Sequence, residues 1–136
     1  MGALAENKKI TVRSNEREEM IDISGKIGSI VQDSGKATGV CVLFVRHTTC
    51  GLTINENADP DVKSDMLGFL RKLIPQDHAD FRHFEQNSDA HIKSSLVGPT
   101  VTVPFENGRL MLGRWQGIYL CEFDGPRERE VLVTIL

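Results

Sequence analysis

The sequence predicts an α+β fold in a single domain: a sandwich-like, largely antiparallel sheet with two to three helices. Three observations predict it. The last third of the 136 residues is a series of strand-like runs separated by turn residues, a pattern of consecutive hairpins rather than of a βαβ winding. Asn107-Gly108 falls between two such runs, where Asn-Gly is a strong hairpin signal. Ahead of them, Asp59-Pro60 opens one strongly periodic apolar helix. A chain of this length buries about two-thirds of the surface that its unfolded form exposes. It is too short for a (β/α)₈ barrel, which takes ~200 residues or more. No repeat, low-complexity tract or Pro/Ser-rich linker divides it.

In order along the chain, residues 8–13 (KKITVR) read as a first strand and 18–23 (EEMIDI) as a second. Ser24-Gly25 opens a short helix with Ile27, Ile30 and Val31 on one face and Gly35 beyond its end. Residues 39–46 (GVCVLFVR) are apolar at nearly every position, as in a strand buried on both faces. That strand ends at a polar break, His47 to Gly51, and the two-residue period puts His47 on the face of Cys41, Leu43 and Val45. Leu52-Thr53-Ile54 then resumes. Asp59 is a good N-cap and Pro60 fits the first helical position. Val62, Met66, Leu70, Leu73 and Ile74 recur at helical spacing until Pro75 ends the run. Asp65 flanks that apolar face and can lean over a site. Residues 75–90 are polar and irregular, and a stretch of that length is often functional. A short helix over 90–97 follows, ended by Gly98, with Asp89 as its cap and His91 in its first turn. Residues 100–105 and 109–112 flank the Asn-Gly turn, and 118–123 and 130–136 flank a second turn at Asp124-Gly125-Pro126.

Composition narrows the function classes. Sixteen Lys and Arg against nineteen Asp and Glu give a net charge of −3, which argues against a dedicated nucleic-acid partner while leaving room for a local anion pocket. Apolar residues make up 40%, too many for a disordered chain. Three cysteines, Cys41, Cys50 and Cys121, form no CxxC pair, so a disulfide framework is not expected and a reducing, cytoplasmic setting is. The first residues lack the apolar core of a signal peptide, and no apolar run approaches ~18 residues, so no membrane association is expected.

Three histidines sit at ends of elements: His47 after the apolar strand, His83 in the irregular stretch, His91 at a helix start. They can converge on a metal or an anion, or be three separate, hydrogen-bonded side chains. His83 and His91 are eight residues apart, which matches no standard zinc motif. His78, among Gln76, Asp77 and Asp80, reads as solvent-exposed. Cys50 lies three residues after His47, so a Cys–His thiolate is conceivable, but a small side chain in a turn is the better reading. Asp65 suits a general base or an orienter of ligands, or is a solvated helix-edge carboxylate. Asn55, Glu56 and Asn57 can hold a substrate or build a turn. Ser94 and Ser95, early in the short helix, can present hydroxyls and free N–H groups to a phosphate, or simply pack. Arg109, Arg114 and Arg127 are available to a phosphate or only solvated. Trp115 reads as a packing anchor. Glu122 interrupts an apolar run on the face of Ile118 and Leu120 and needs a partner, a site or a neighbouring arginine.

Three long strings together carry a resemblance. They are HTTCGLTINENADP (residues 47–60), AHIKSSLVG (90–98), and NGRL, LG and WQGIYLCEFDGPR within 107–127. On these, over nearly the whole chain and in order, the sequence resembles the YjbQ family. The resemblance implies compact α+β, sandwich-like subunits that assemble as homotrimers, and a thiamine phosphate synthase activity beside an unsettled physiological substrate. Carried over by position, the family-like polar residues are His47, Asn55, Glu56, Asn57, Asp65, His83, His91 and Glu122. Arg114 stands where the usual loop has Thr, and Cys50 where other members carry small residues, which counts against an obligatory cysteine nucleophile.

Making thiamine phosphate expels diphosphate, which calls for Mg²⁺, held here by Asp65 and Glu56 oxygens, and for cationic side chains. Three imidazoles suit Zn²⁺, Ni²⁺ or Fe²⁺ better than Mg²⁺. The leading expectation is therefore an enzyme on a small phosphorylated substrate, with weak thiamine phosphate synthase activity. His47, His83 and His91 would be its metal or phosphate ligands, Asp65 its base or orienter, and Asn55, Glu56, Asn57, Ser94, Ser95 and Glu122 its substrate contacts. A metal-dependent hydrolase and a non-catalytic trimer that binds a small anion or metabolite are the alternatives.

Overall fold

The computed structural model describes residues 6–136. Eight strands and three helices run in the order β1 (Glu6–Arg13), β2 (Glu19–Asp22), α1 (Ser24–Asp33), β3 (Gly39–Val45), β4 (Cys50–Glu56), α2 (Pro60–Leu73), α3 (Ser88–Val97), β5 (Thr100–Glu106), β6 (Arg109–Leu110), β7 (Gln116–Glu122) and β8 (Glu128–Ile135). The strands form two sheets, ordered β1-β8-β3-β5-β6 and β2-β7-β4, and every pairing is antiparallel. This is the α+β sandwich that the pattern of runs and turns predicts.

Local chemistry sets several boundaries. The Asp59 carboxylate accepts from the Asp61 N–H at 2.9 Å and Pro60 begins α2, as expected. Asn107 and Gly108 both take left-handed φ, 54° and 72°, the backbone that a two-residue hairpin between β5 and β6 requires. β6 is shorter than the predicted strand and stops at Leu110. α3 starts earlier than predicted, after Asn87. Asp89 is not its cap: it lies inside the first turn and is buried.

The main core fills the space between the sheets. Cys41, Leu43 and Val45 of β3, Val103 and Phe105 of β5 and Val131, Val133 and Ile135 of β8 face Leu52 of β4 and Ile118 and Leu120 of β7. Ile27 and Val31, one turn apart on α1, close one end. The other face of the small sheet carries Met20, Tyr119, Cys121 and Phe123, which pack against Ala90 of α3 and Met66, Leu67 and Leu70 of α2. The order of layers is thus large sheet, small sheet, helices.

Two predicted features are corrected. β3 is not buried on both faces: Phe44 is 41% exposed, and Val40 and Val42 on the same face are only partly buried. An unbroken apolar run cannot tell a covered face from a bare one. The strand buried on both sides is β7, from Gly117 to Glu122. Nor is Asp124-Gly125-Pro126 a hairpin turn. β7 and β8 belong to different sheets, so this segment, with a cis Gly125–Pro126 peptide, carries the chain across the sandwich. No helix among the described residues is long and apolar enough to cross a membrane.

That crossing is fixed by a buried ion pair. Glu122, at the end of β7, is fully buried and meets Arg129 of β8, which is nearly so. Arg129 Nε donates to Glu122 Oε1 at 2.9 Å, and its Nη2 donates to Oε2 and to Thr49 Oγ1 and O. Ser14 Oγ and the Asp124 N–H donate to the two carboxylate oxygens at 2.8 and 3.0 Å. Burial alone pushes the Glu122 carboxyl up, but these donors, Arg129 first, hold it below its ordinary value. The partner that the sequence reading asked for is Arg129, not a substrate.

Removing one member of such a pair strands the other charge. Arg129→Met is expected to lower the unfolding free energy by about 3–5 kcal/mol in urea titrations at neutral pH. The depressed folded-state value also fixes a pH dependence. The stabilisation is complete above the ordinary carboxyl value of 4.5 and is lost as pH falls through the lower folded-state value. Acid titrations of stability should show that loss in the native protein and lack it in Glu122→Gln.

Candidate functional site

α3 is held against β4 by a close approach of backbones. The Leu52 N–H donates to Gly98 O at 3.0 Å, and a Cβ at Gly51 would lie 2.7 Å from that same oxygen. Gly98 ends the helix at φ 100°, which few residues other than glycine adopt. Residues 74–87 lead into α3. Gln86 takes φ 59°, and its N–H donates to His83 O at 3.1 Å, so a tight turn folds His83 back towards the helix. His83 and His91 then meet edge to face, ring centroids 5.7 Å apart and planes at 83°. With Arg82, Asp80 and Ser88 they line an open cavity of about 570 Å³. His83 is exposed and His91 half-buried.

The other candidates lie elsewhere. His47 follows β3, and its Nε2 accepts from the Glu130 N–H at 3.0 Å, which puts the ring proton on Nδ1. Burial, and next the Arg129 cation, push its pKa down, so it serves as a neutral acceptor in the wall of the sandwich. No ring contact joins it to the other two histidines. Among the described residues no three His, Cys, Asp or Glu side chains converge as metal ligands. The expected set of His47, His83 and His91 is therefore not assembled among the described residues.

Asp65 is exposed on α2, at the rim of a different cavity of about 800 Å³, an apolar groove formed with Met66, Phe69, Leu70, Leu96 and Val97. Asn55, Glu56 and Asn57 build the exit of β4. Asn55 Oδ1 accepts from the Glu56 N–H at 2.7 Å, Glu56 O accepts from Tyr119 Oη at 3.1 Å, and the Asn57 N–H donates to Trp115 O at 2.9 Å. The start of α3 at Ser88 moves Ser94 and Ser95 away from the helix N-terminus, so they present no free N–H groups to a phosphate. Ser95 Oγ donates to His91 O, and Ser94 Oγ is buried without a partner.

Trp115 is no packing anchor: it is half exposed, with the Arg114 guanidinium 4.8 Å from its ring centre. Arg127 is engaged by Asp124, while Arg109 and His78 are exposed, His78 as expected. All three cysteines are free and buried, and burial pushes the Cys50 thiol up to about 11, which leaves no thiolate for His47 to stabilise.

One functional-looking cluster escaped the sequence reading. Lys93, fully buried on α3, donates to Asp89 Oδ2 at 2.8 Å and to Glu18 Oε2 at 2.7 Å. Arg17 grips the far side of Asp89 through both terminal nitrogens, at 2.9 and 3.1 Å, and Arg71 Nε donates to Glu18 at 2.8 Å. Burial pushes the Asp89 carboxyl up, but the hydrogen bonds from Arg17 and Lys93 prevail and hold it low. The one signal in the sequence was an Asp–Lys pair four residues apart on the short helix.

Residues 8–136 match the family described as UPF0047 protein YjbQ-like. A UPF0047 protein of Methanocaldococcus jannaschii is 52% identical over 128 residues, covering 94% of this chain and 92% of its own. UPF0047 protein YugU of Bacillus subtilis is 48% identical over 129 residues, 95% of this chain and 98% of its own. The crystal structure of an uncharacterised YjbQ/UPF0047 protein from Clostridium acetobutylicum superposes with a TM-score of 0.92 at 47% identity, covering 95% and 99% of the two chains. A structure from Sulfolobus solfataricus, described as of unknown function, gives 0.91 at 30% identity, covering 97% and 96%. The chain belongs to the YjbQ-like UPF0047 family.

Proposed function

We propose that this protein is an enzyme acting on a small phosphorylated molecule, with the His83–His91 pair as its acid–base and phosphate-contacting groups. One observation carries the reading: two imidazoles, edge to face at 5.7 Å, open into one cavity with Arg82 and Ser88. Imidazoles are the commonest general acids and bases, so the pair can give a proton to a leaving group and take one from a nucleophile. Arg82 supplies fixed positive charge for phosphoryl oxygens.

The reaction that the resemblance implies, thiamine phosphate synthesis, has matching demands. A C–N bond forms from the thiazole nitrogen to the pyrimidine methylene carbon as the C–O bond to diphosphate breaks. The diphosphate leaves with the electron pair, and a protonated imidazole and Arg82 receive it. A divalent cation would add charge neutralisation. The described residues of one subunit do not assemble a three-ligand set for it, so the proposed chemistry rests on the imidazoles and the guanidinium.

Assembly as a homotrimer is part of the same proposal. α2 buries no residue completely although it is amphipathic, and Phe69, Leu73 and Leu96 are 66%, 60% and 64% exposed around the apolar groove. An apolar surface of that kind is the usual mark of a contact between subunits. Asp65 would then stand at the edge of the contact rather than in open solvent.

His83→Ala and His91→Ala are each expected to lower thiamine phosphate formation by about 10²–10⁴-fold in folded protein. Unchanged turnover in both variants would sink the assignment. Light scattering on eluted protein at micromolar concentration should give three times the chain mass, and Phe69→Asp should reduce it to one; a native monomer removes the trimer.

A further inference from the structure

The ion cluster around Lys93 lines a cavity that the proposed chemistry does not use. It measures about 450 Å³, within the usual range for small-molecule sites, and lies among Glu16, Arg17, Glu18, Arg71, Asp89 and Lys93, with Gln76 and Asp77 beside them. By helical geometry it is on the opposite side of α3 from His91, while His83 lines a neighbouring cavity that shares Gln76 and Asp77 with it. Asp89 and Lys93 are one turn apart on one face, and His91, two residues from each, points the other way.

The charges in its wall are unequal. Among the described residues, Glu18 and Asp89 are the acids of the hydrogen-bonded chain, and Lys93, Arg17 and Arg71 are all bound to them, three cations against two carboxylates. The buried Lys93 ammonium is what tips this balance, since it sits between the two acids and neutralises both. Of the five guanidinium N–H groups of Arg71, only the one on Nε is taken, by Glu18, and its side chain is 59% exposed. Arg17 likewise keeps N–H groups beyond the two that it gives to Asp89. What faces an incoming molecule from the wall is therefore a set of donors with one surplus positive charge. The mouth is the reverse. Glu16 and Asp77 are both exposed, and neither carboxylate has a hydrogen-bond or ion-pair partner among the described residues.

We infer that this cavity binds a small zwitterion, its phosphate or carboxylate on the Arg17–Arg71 wall and its ammonium between Glu16 and Asp77. A simple polyanion would be repelled at the mouth, and a simple cation would meet the surplus charge of the wall. Lys93 is a positioning residue here: it touches no ligand but keeps the wall cationic.

O-phosphoethanolamine, β-alanine and inorganic phosphate are the probes, followed by NMR on the full chain. O-phosphoethanolamine or β-alanine should shift the Arg71 Nε–H and the amides of residues 89–93 saturably, and whichever binds tighter identifies the anion. Both share the ammonium, so either result supports the site. Arg71→Gln, at an exposed side chain, should weaken that binding at least tenfold, and Glu16→Gln with Asp77→Asn should reduce the better zwitterion to the affinity of phosphate. His91→Ala should leave it unchanged, which separates this site from the proposed catalytic one. No saturable shift with either zwitterion, native affinity in Arg71→Gln, or loss of the shifts in His91→Ala would overturn the inference.

Discussion

β7 has no side facing solvent. Ile118 and Leu120 point into the sandwich, while Tyr119 and Cys121 point to the layer of α2 and α3. A strand covered twice must be apolar in both registers, and it ties three layers to one segment of chain. Its last residue, Glu122, carries a charge into that setting and is tolerable only because Arg129 reaches back from β8. The same contact decides where the chain leaves the small sheet for the large one. Helix layer, inner sheet and outer sheet thus share a single seam.

What the sequence made legible follows from how local each signal is. The start of α2 was readable because Asp59 caps its own helix two residues on, and the β5–β6 turn because Asn107 and Gly108 need only their own backbone. The start of α3 was not, because Asp89 looks like a cap and is in fact drawn inward by Arg17 and Lys93, one of them 72 residues away in sequence. β3 was misread for a related reason: apolarity along a run says nothing of which faces find a neighbour. The turn at Asp124 marked a change of direction but not the sheet that the next strand would join.

The candidate site was legible in part. His83 and His91 stood out as candidates, yet their meeting depends on a left-handed Gln86 in an irregular segment, which no spacing rule encodes. His47 looked equivalent by position and is occupied instead by a backbone N–H of β8. The strings that carry the family resemblance hold structural residues beside chemical ones. Gly51 is there because the end of α3 leaves no room for a Cβ, and Gly117 because the Asn57 side chain leaves none. Family membership therefore identifies the fold directly, while chemistry has to be argued from the cavities on either side of α3.

The pairing of β1 with β8 has a mechanical consequence. Glu6 lies opposite Ile135 and Arg13 opposite Glu128, so the two outer ends of the described chain leave the large sheet side by side. A pulling force applied at those ends would load the ladder one rung at a time, from Glu6 inward, as in unzipping. A shearing geometry would instead share the load over all eight paired positions. Under tension this chain should open by peeling its first strand, and Arg129, opposite Val12 at the second-to-last rung, places the seam with Glu122 at the far end of that ladder as the last barrier to peeling.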